Sequence, residues 1–355
     1  MKNILIIGNQ GYLGSCLSDY LKEKTKHRIT GTDIGFFKHG VIYKNNRINQ
    51  LNIDARVINC KDIEKYDCVI LLAGISNDPV SKLPIETIYH PTRDYALKIA
   101  ECCSKLGIKF IFPSSCSVFG VGSGFLTEEG PVNPVTPYSK NKLEIEEGLK
   151  ELGSESFSPI ALRFATIFGP SPRMRFDLVI NMLCGMAVAE KKILLNSDGQ
   201  AWRPHLHIAD ACEAIRCSIE WDNKGTGFNV FNVGRNENNL RILDVAHLVA
   251  KESGISKIEF LGAEVQDSTG LIMDRKISGG VDKRSYQVVF DRVNKFLPGF
   301  HARWSVHEGI RELLAFLEKF KLNIIKFYQR DFYRLQQIEY LIETNQLDEN
   351  LKWIR

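Results

Sequence analysis

The 355-residue sequence contains no apolar run approaching the roughly 18 residues that a membrane-spanning helix needs, so no integral membrane span is expected. Its apolar stretch Ile4–Ile7 is too short for the core of a signal peptide and runs straight into a glycine-rich turn. A net charge of +4 is small for this length and gives no sign of a strong nucleic-acid partner. The nine cysteines include no CxxC pair, and the closest two are the adjacent Cys102 and Cys103. An odd number at such spacings fits reduced, buried thiols in a cytoplasmic protein, not a disulfide framework or a zinc site. No cluster of histidines and carboxylates has metal-ligand spacing, so no metal is expected. What remains is a globular composition, long enough to bury a large core in two lobes.

The first such segment is Lys2–Ile7, a short apolar run that reads as a buried parallel strand. Gly8-Asn9-Gln10-Gly11-Tyr12-Leu13-Gly14 follows, and Ser15–Lys24 carries a helical pattern. Glycines at 8, 11 and 14 between strand and helix allow a tight turn and close approach of the backbone to a pyrophosphate at the helix N-terminus. Gly8, Gly11, Tyr12, Leu13 and Gly14 are therefore candidate cofactor-binding residues. The next strand, Arg28–Thr32, ends at Asp33, nineteen residues after Gly14. A carboxylate there accepts hydrogen bonds from a ribose diol and repels a 2′-phosphate, and no arginine follows at once, which favours NAD over NADP. Asp54, after the segment Ile48–Ile53, is a weaker candidate toward the adenine. Asp67–Gly74 reads as a further strand whose end, Leu72-Ala73-Gly74, leaves room for a cofactor backbone. Thr92–Leu106 is helical, with Pro91 suited to its first turn. Ile160–Pro170 is another apolar run, stopped by Gly-Pro. The alternation predicts an α/β fold, a Rossmann-like doubly wound parallel sheet.

Residues 110–142 carry the chemistry. An apolar strand ends on Ser114-Ser115-Cys116-Ser117, and after a Gly- and Pro-rich loop a helix opens with Tyr138 and Lys142 four apart. That spacing puts phenol and ammonium on one helix face, about 5–6 Å apart at Cβ. A neighbouring cation favours the phenolate, which must come down about 3 units from its usual pKa to act as a base near neutrality. Ser115 could hold a substrate hydroxyl while the phenolate takes its proton. The spacing alone is weak, since Tyr20 and Lys24 repeat it on an ordinary helix surface.

After residue 170 the character shifts to a smaller, mixed α/β lobe. Ser171-Pro172-Arg173-Met174-Arg175 is a basic loop, Phe176–Ala189 is helical, and Arg203 and Arg284 fall in predicted loops. Converging arginine forks suit a diphosphate, although each taken singly is an ordinary surface charge. His205 and His207 alternate along a strand and read as structural. Residues 319–355 interleave basic and aromatic residues, which suits either a membrane surface or a terminal helix docked on its own protein.

In order along residues 2–317, these landmarks resemble the extended short-chain dehydrogenase/reductase family, in its nucleotide-sugar epimerase/dehydratase branch. Ser115-Cys116-Ser117-Val118-Phe119-Gly120 is similar to the family's S-x-x-V-Y-G, and Phe231-Asn232-Val233-Gly234 and Asp282-Lys283-Arg284 continue the series. The resemblance implies Tyr138 as acid/base, Lys142 as its partner on the nicotinamide ribose, and Ser115 on the reacting sugar hydroxyl. It places Ser115, Cys116, Ser117, Thr166, Asn181, Arg203 and Arg284 toward a nucleoside-diphosphate sugar. Family 4,6-dehydratases carry Asp-Glu after the catalytic Ser or Thr; Cys116 and Ser117 stand there instead, which disfavours that reaction. The expectation is a cytoplasmic, homodimeric, NAD-dependent C4-type epimerase serving polysaccharide assembly. A 4-ketoreductase or dehydrogenase of the same sugars is the alternative, and a non-catalytic dinucleotide-binding protein the more distant one. Residues 1–170, rejoined by 205–235, would bind NAD; 171–204 and 236–318 would bind the sugar nucleotide; 319–355 would form a helical extension.

Overall fold

Residues 1–44, 48–76, 84–260 and 284–354 are described by the computed structural model of the protein. The first strand, β1 (Asn3–Ile7), explains the layering. Ile4 and Ile6 pack on one side with Leu17 and Leu21 of α1 (Tyr12–Lys24). Leu5 and Ile7 pack on the other with Tyr95, Ala96 and Ile99. Because successive side chains of a strand point to opposite faces, a strand apolar at every position is one covered by helices on both sides.

In chain order there follow β2 (Arg28–Thr32), β3 (Asn49–Leu51), α2 (Cys60–Ile63), β4 (Cys68–Leu71), α3 (Ile85–Leu106) and β5 (Lys109–Ser115). Then come β6 (Val121–Leu126), α4 (Pro137–Leu152), β7 (Ile160–Phe164), β8 (Thr166–Phe168), α5 (Val179–Glu190) and β9 (Ile193–Leu195). After these lie β10 (Trp202–His207), α6 (Ile208–Glu220), β11 (Asn229–Val233), β12 (Asn239–Arg241), α7 (Ile242–Ser253), β13 (Ile258–Phe260) and β14 (Ser285–Val288). The main sheet has seven parallel strands in the order β11-β7-β5-β4-β1-β2-β3. Strand order reverses between β1 and β4, and in such sheets the crevice outside the carboxyl ends at that point is where ligands bind. Of the smaller sheets one is mixed, β10 pairing parallel with β8 and antiparallel with β12, while β13 pairs parallel with β9 and β14 parallel with β6. A separate core of α5, α7, β9 and the helix Val306–Lys319 underlies this second lobe.

Several expectations need correction. Helix α3 begins at Ile85, so Pro91 lies inside it and not in its first turn. A proline removes one helical hydrogen bond; here burial of Ile88 and Tyr89 against Phe36, Ile338 and Leu341 holds the turns before it. Helix α1 starts at Tyr12, α5 at Val179, and Arg203 sits on strand β10, not in a loop. Asp282 and Lys283 lie outside the described residues. The cysteines are not all reduced: Cys60 of α2 and Cys102 of α3 form a disulfide, and the other seven are free. Sequence spacing hid this pair, because the packing of α2 on α3 brings together residues 42 apart.

The segment beyond residue 319 is docked on the chain. Phe327 and Phe332 join the second lobe's core, and Ile338, Leu341, Leu347 and Leu351 pack with Phe36, Ile88 and Tyr89. Among the described residues no helix is long and apolar enough to cross a membrane.

Closing a loop of this length restricts the unfolded chain by up to about 4 kcal/mol. Urea denaturation with and without dithiothreitol should therefore show a lower unfolding free energy in the reduced protein, and the Cys60→Ser variant should match the reduced protein. Identical midpoints would show that the bond carries no stability.

Candidate active site

The glycine turn sits at the carboxyl end of β1. Gly8 has φ +94°, and a Cβ there would lie 2.4 Å from Ala73 N, so β1 and the Leu72–Ala73 turn after β4 touch through this glycine. A Cβ on Gly14 would lie 2.2 Å from Gly8 O. Both glycines are demanded by the protein's own packing. Gly11 is different: a Cβ there would meet just Gly8 O, at 3.4 Å, so its lack of a side chain leaves space on the outer side of the loop. No side chain caps α1, whose first turn holds Tyr12, Leu13 and Gly14. Free backbone N–H groups at a helix N-terminus suit a pyrophosphate. The Tyr12 ring itself is buried, its hydroxyl donating to Gly169 O at 2.7 Å, which commits the side chain to the protein interior.

Asp33 follows β2 directly. Its carboxylate accepts from Gln10 N at 3.0 Å and from Gly35 N at 2.8 Å, which fixes it against the glycine loop. Two oxygens offer about four acceptor positions, so capacity remains for a ribose diol. Burial pushes its pKa up, against the pull of those two amides and of Arg334 and Arg173. Asp54 is committed elsewhere: its Oδ2 accepts from Arg56 Nε at 2.9 Å and Nη2 at 2.6 Å, and its Oδ1 from Nε at 3.1 Å. Across the strand-order reversal, Tyr95 of α3 donates to Ala73 O at 3.0 Å, and Thr92 and Tyr95 lie under Gly74.

Strand β5 delivers Ser115 to the same edge. Ser115 Oγ accepts from Ser117 N at 3.1 Å, capping the short turn Cys116–Phe119. Helix α4 is started by Thr136, which exchanges a capping box with Ser139, and by Pro137 at its first position. That start fixes Tyr138 and Lys142 one turn apart. Lys142 Nζ donates to Pro113 O at 2.7 Å and lies 5.6 Å from the centre of the Tyr138 ring. One ammonium thus ties the phenol-bearing helix to the strand that ends on Ser115. Behind it, Arg163 of β7 grips Glu146 of α4 with N···O distances of 2.6 to 3.1 Å, and Ser114 Oγ donates to Glu146 Oε1.

The remaining candidates divide. Cys116 is 1 % exposed and its thiol donates to Arg163 O at 3.1 Å, so it fills the core under the site; its burial does not support the substrate contact expected of it. Burial raises its thiol pKa. Ser117 is buried too, and its hydroxyl has no hydrogen-bond partner among the described residues. Thr166 opens β8 beside His205 of β10. Asn181 spends its amide internally, accepting from Gly169 N at 3.0 Å and donating to Tyr12 Oη and Arg175 O, so it braces the loop. Arg203 donates to Trp202 O at 2.8 Å and to Arg284 O, which brings the two predicted arginines together at the edge of β14. In the sequence Arg175 is one more basic residue of the loop 171–175. It is 6 % exposed, held by Asp177 at 2.8 Å and Ser76 Oγ at 2.8 Å, and lies close enough to Tyr138 for their charges to interact. The signal was its proximity to Asp177, a ready buried ion-pair partner. Among the described residues no group of three or more potential ligands could hold a metal.

A nucleotide loop, a strand-end hydroxyl and a Tyr–Lys helix around the reversal point of a doubly wound sheet define a dinucleotide-dependent enzyme site. The profile of the NAD dependent epimerase/dehydratase family matches residues 4–234, and the chain belongs to that family. It is 29 % identical over 231 residues to an uncharacterized UDP-glucose epimerase of Bacillus subtilis, YtcB, covering 60 % of this chain and 71 % of the relative. It is 25 % identical over 270 residues to the UDP-glucose 4-epimerase of Streptococcus mutans, covering 69 % and 81 %. In fold it resembles the UDP-glucuronic acid 4-epimerase of Bacillus cereus, solved with UDP-glucuronic acid and NAD, with a TM-score of 0.71, 21 % identity, and 89 % and 99 % of the two chains covered.

Burial lowers the pKa of Lys142 from 10.5 to about 7, with Glu146 pulling the other way. Between those values the unfolded chain binds the proton that the folded one has lost, so stability should rise with pH from about 7 to 10.5. In dinucleotide-free protein, urea denaturation at pH 7 and pH 9 should show that rise, and the Lys142→Met variant should lack it. Parallel profiles for the two proteins would contradict the assignment.

Proposed function

We propose that the protein is an NAD-dependent nucleotide-sugar epimerase that inverts a sugar carbon, C4 in the leading reading, through a transient 4-keto sugar. The observation that carries this is the gathering of Ser115, Tyr138 and Lys142 at one carboxyl edge, through Lys142, beside the glycine turn and Asp33. Relatives named as UDP-glucose 4-epimerases support it. The residues fit the dinucleotide: the α1 N-terminus and Gly11 would hold its pyrophosphate, Asp33 its adenosine ribose, and the Leu72–Gly74 turn its passage across the reversal point. When bound, NAD supplies the hydride acceptor and donor that redox inversion of a carbinol carbon requires.

The chain's own part is proton handling and orientation. Ser115 Oγ holds the sugar hydroxyl, and Tyr138 Oη takes its proton as the carbinol becomes a ketone. In its protonated form Lys142 favours the phenolate as a neighbouring cation does. After the keto sugar has turned over, Tyr138 Oη returns the proton to the oxygen, so no net proton or electron leaves the site. Arg203 and Arg284, adjoining at the second lobe, would receive the diphosphate and let the sugar turn while the nucleotide stays anchored. The same reading assigns residues 1–170 with 205–235 to the dinucleotide, and 171–204 with 236–318 to the sugar nucleotide. It places the enzyme in the cytoplasm as a homodimer serving polysaccharide assembly. A 4,6-elimination is disfavoured because the residue after Ser115 is a buried thiol and not an acid.

Tyr138→Phe should abolish interconversion of UDP-glucose and UDP-galactose while NAD binding, followed by calorimetry, stays within about threefold, since just one hydroxyl is lost. Substantial residual turnover would overturn the role of Tyr138. Consumption of NAD(P)H in step with product across a panel of keto-sugar nucleotides, without epimerisation, would replace the epimerase by a ketoreductase.

A further inference from the structure

The residues after Asp33 are Ile34, Gly35, Phe36 and Phe37, so the strand end itself offers no cation to a bound phosphate. Two guanidinium groups reach this place from distant parts of the chain. Arg173, in the loop between β8 and α5, donates through Nη1 to Phe37 O at 2.8 Å. Arg334, the first residue of the helix Arg334–Glu343, stacks its guanidinium 4.0 Å from the centre of the Phe37 ring, and its backbone N lies 3.4 Å from Asp177 Oδ2. Arg334 is 5 % exposed. Its Nη2, and Nε of Arg173, are buried with no hydrogen-bond partner among the described residues. Leaving a guanidinium N–H buried and unpaired is costly, more so than for a neutral donor.

The electrostatics point the same way. Both arginines act on the Asp33 carboxylate, which is tied to the glycine loop through Gln10 N. Burial and the nearby Arg175 and Arg173 press Arg334 down to about 9, against the pull of Asp177 and Asp33. Three guanidinium groups here face two described carboxylates, Asp33 and Asp177. An anion between them would complete the set, and a planar fork matches phosphate oxygens well.

The extension that carries Arg334 is fixed to this spot. Trp353 Nε1 donates to Ile34 O at 2.7 Å, and Gln337 Nε2 to Phe36 O at 3.2 Å. Arg56, which grips Asp54, donates to Asn350 O at 2.6 Å and Leu351 O at 2.9 Å. The C-terminal segment therefore holds the start of the loop after β2, at Ile34 and Phe36, and the turn after β3, at Arg56.

We propose that Arg173 and Arg334 form a cradle for a phosphate of the bound dinucleotide, so that the C-terminal extension completes the cofactor site. The inference rests on the reading above that a dinucleotide lies along the glycine loop and Asp33. Two phosphates of one chemistry could fill the cradle: the pyrophosphate common to NAD and NADP, or the 2′-phosphate of NADP alone.

Calorimetric titration of dinucleotide-free protein with NAD, NADP, ADP-ribose and adenosine separates these sources. Arg334→Gln should weaken NAD and ADP-ribose by about tenfold or more if the pyrophosphate is held, as loss of a buried charged hydrogen bond would. It should weaken NADP alone if the 2′-phosphate is held. In both cases adenosine binding stays as it was, the salt dependence of the affected ligand falls, and Arg334→Lys restores part of the affinity. Arg173→Gln, a loop substitution, provides the same comparison should Arg334→Gln fail to fold. Unchanged affinity for all four ligands in a folded variant overturns the cradle while leaving the dinucleotide reading intact. Wild-type protein that binds none of them overturns the dinucleotide reading itself.

Discussion

The buried pair of Glu146 and Arg163 is the interaction on which the site's geometry depends. Arg163 belongs to β7, Glu146 to α4, and Ser114 of β5 donates to the same carboxylate. Three elements are thus locked by one carboxylate at the place where a strand and a helix must agree to within a fraction of an ångström. A pair this deep is poor evidence for stability, because desolvation can offset its attraction, but breaking it leaves an uncompensated charge that costs about 3–5 kcal/mol. Its use here is positional. Glu146 lies one turn beyond Lys142, and Lys142 reaches back to Pro113 O beside the Ser115 end of β5. Packing from Ile145 and Leu149 on one face of α4 supplies the affinity between helix and sheet, while the ion pair sets the register.

From that anchor the division of labour in the fold follows. The seven-stranded sheet presents its carboxyl edge at the reversal between β1 and β4, where the glycine turn, Asp33 and Ser115 lie and against which α4 sets Tyr138 and Lys142. The second lobe is tied to it through β8, which continues the chain after β7, and through β14, which pairs with β6 just beyond Ser115. The lobe that brings the arginines is therefore tied to β6 and β8, the strands that follow β5 and β7 in the chain.

Much of this was legible in the sequence where a local physical rule fixed the outcome. Gly8 and Gly14 mark the turn because a Cβ at either would strike backbone, and Asp33 follows the next strand at the spacing expected of a ribose-binding acid. Thr136-Pro137 announces the start of α4 and so the Tyr138–Lys142 spacing. What escaped depends on contacts between distant segments. Pro91 reads as a helix start by local preference, yet packing of Ile88 and Tyr89 extends α3 ahead of it. The Cys60–Cys102 bond has no signature in spacing, since α2 and α3 are brought together by the sheet beneath them. Asn181 is named from sequence as a substrate residue, yet its amide is engaged by Gly169, Tyr12 and Arg175. Arg334 lies three hundred residues from Asp33, and no pattern in the chain connects them.

The central claim is that the dinucleotide stays in the site and is regenerated within each turnover, as an epimerase requires and a reductase does not. The most direct test is mass spectrometry of the small molecules released when the freshly purified protein is denatured. The account expects NAD or NADH in near-equimolar amount with the chain. Protein that releases no dinucleotide, and that on later titration prefers NADPH, would contradict it.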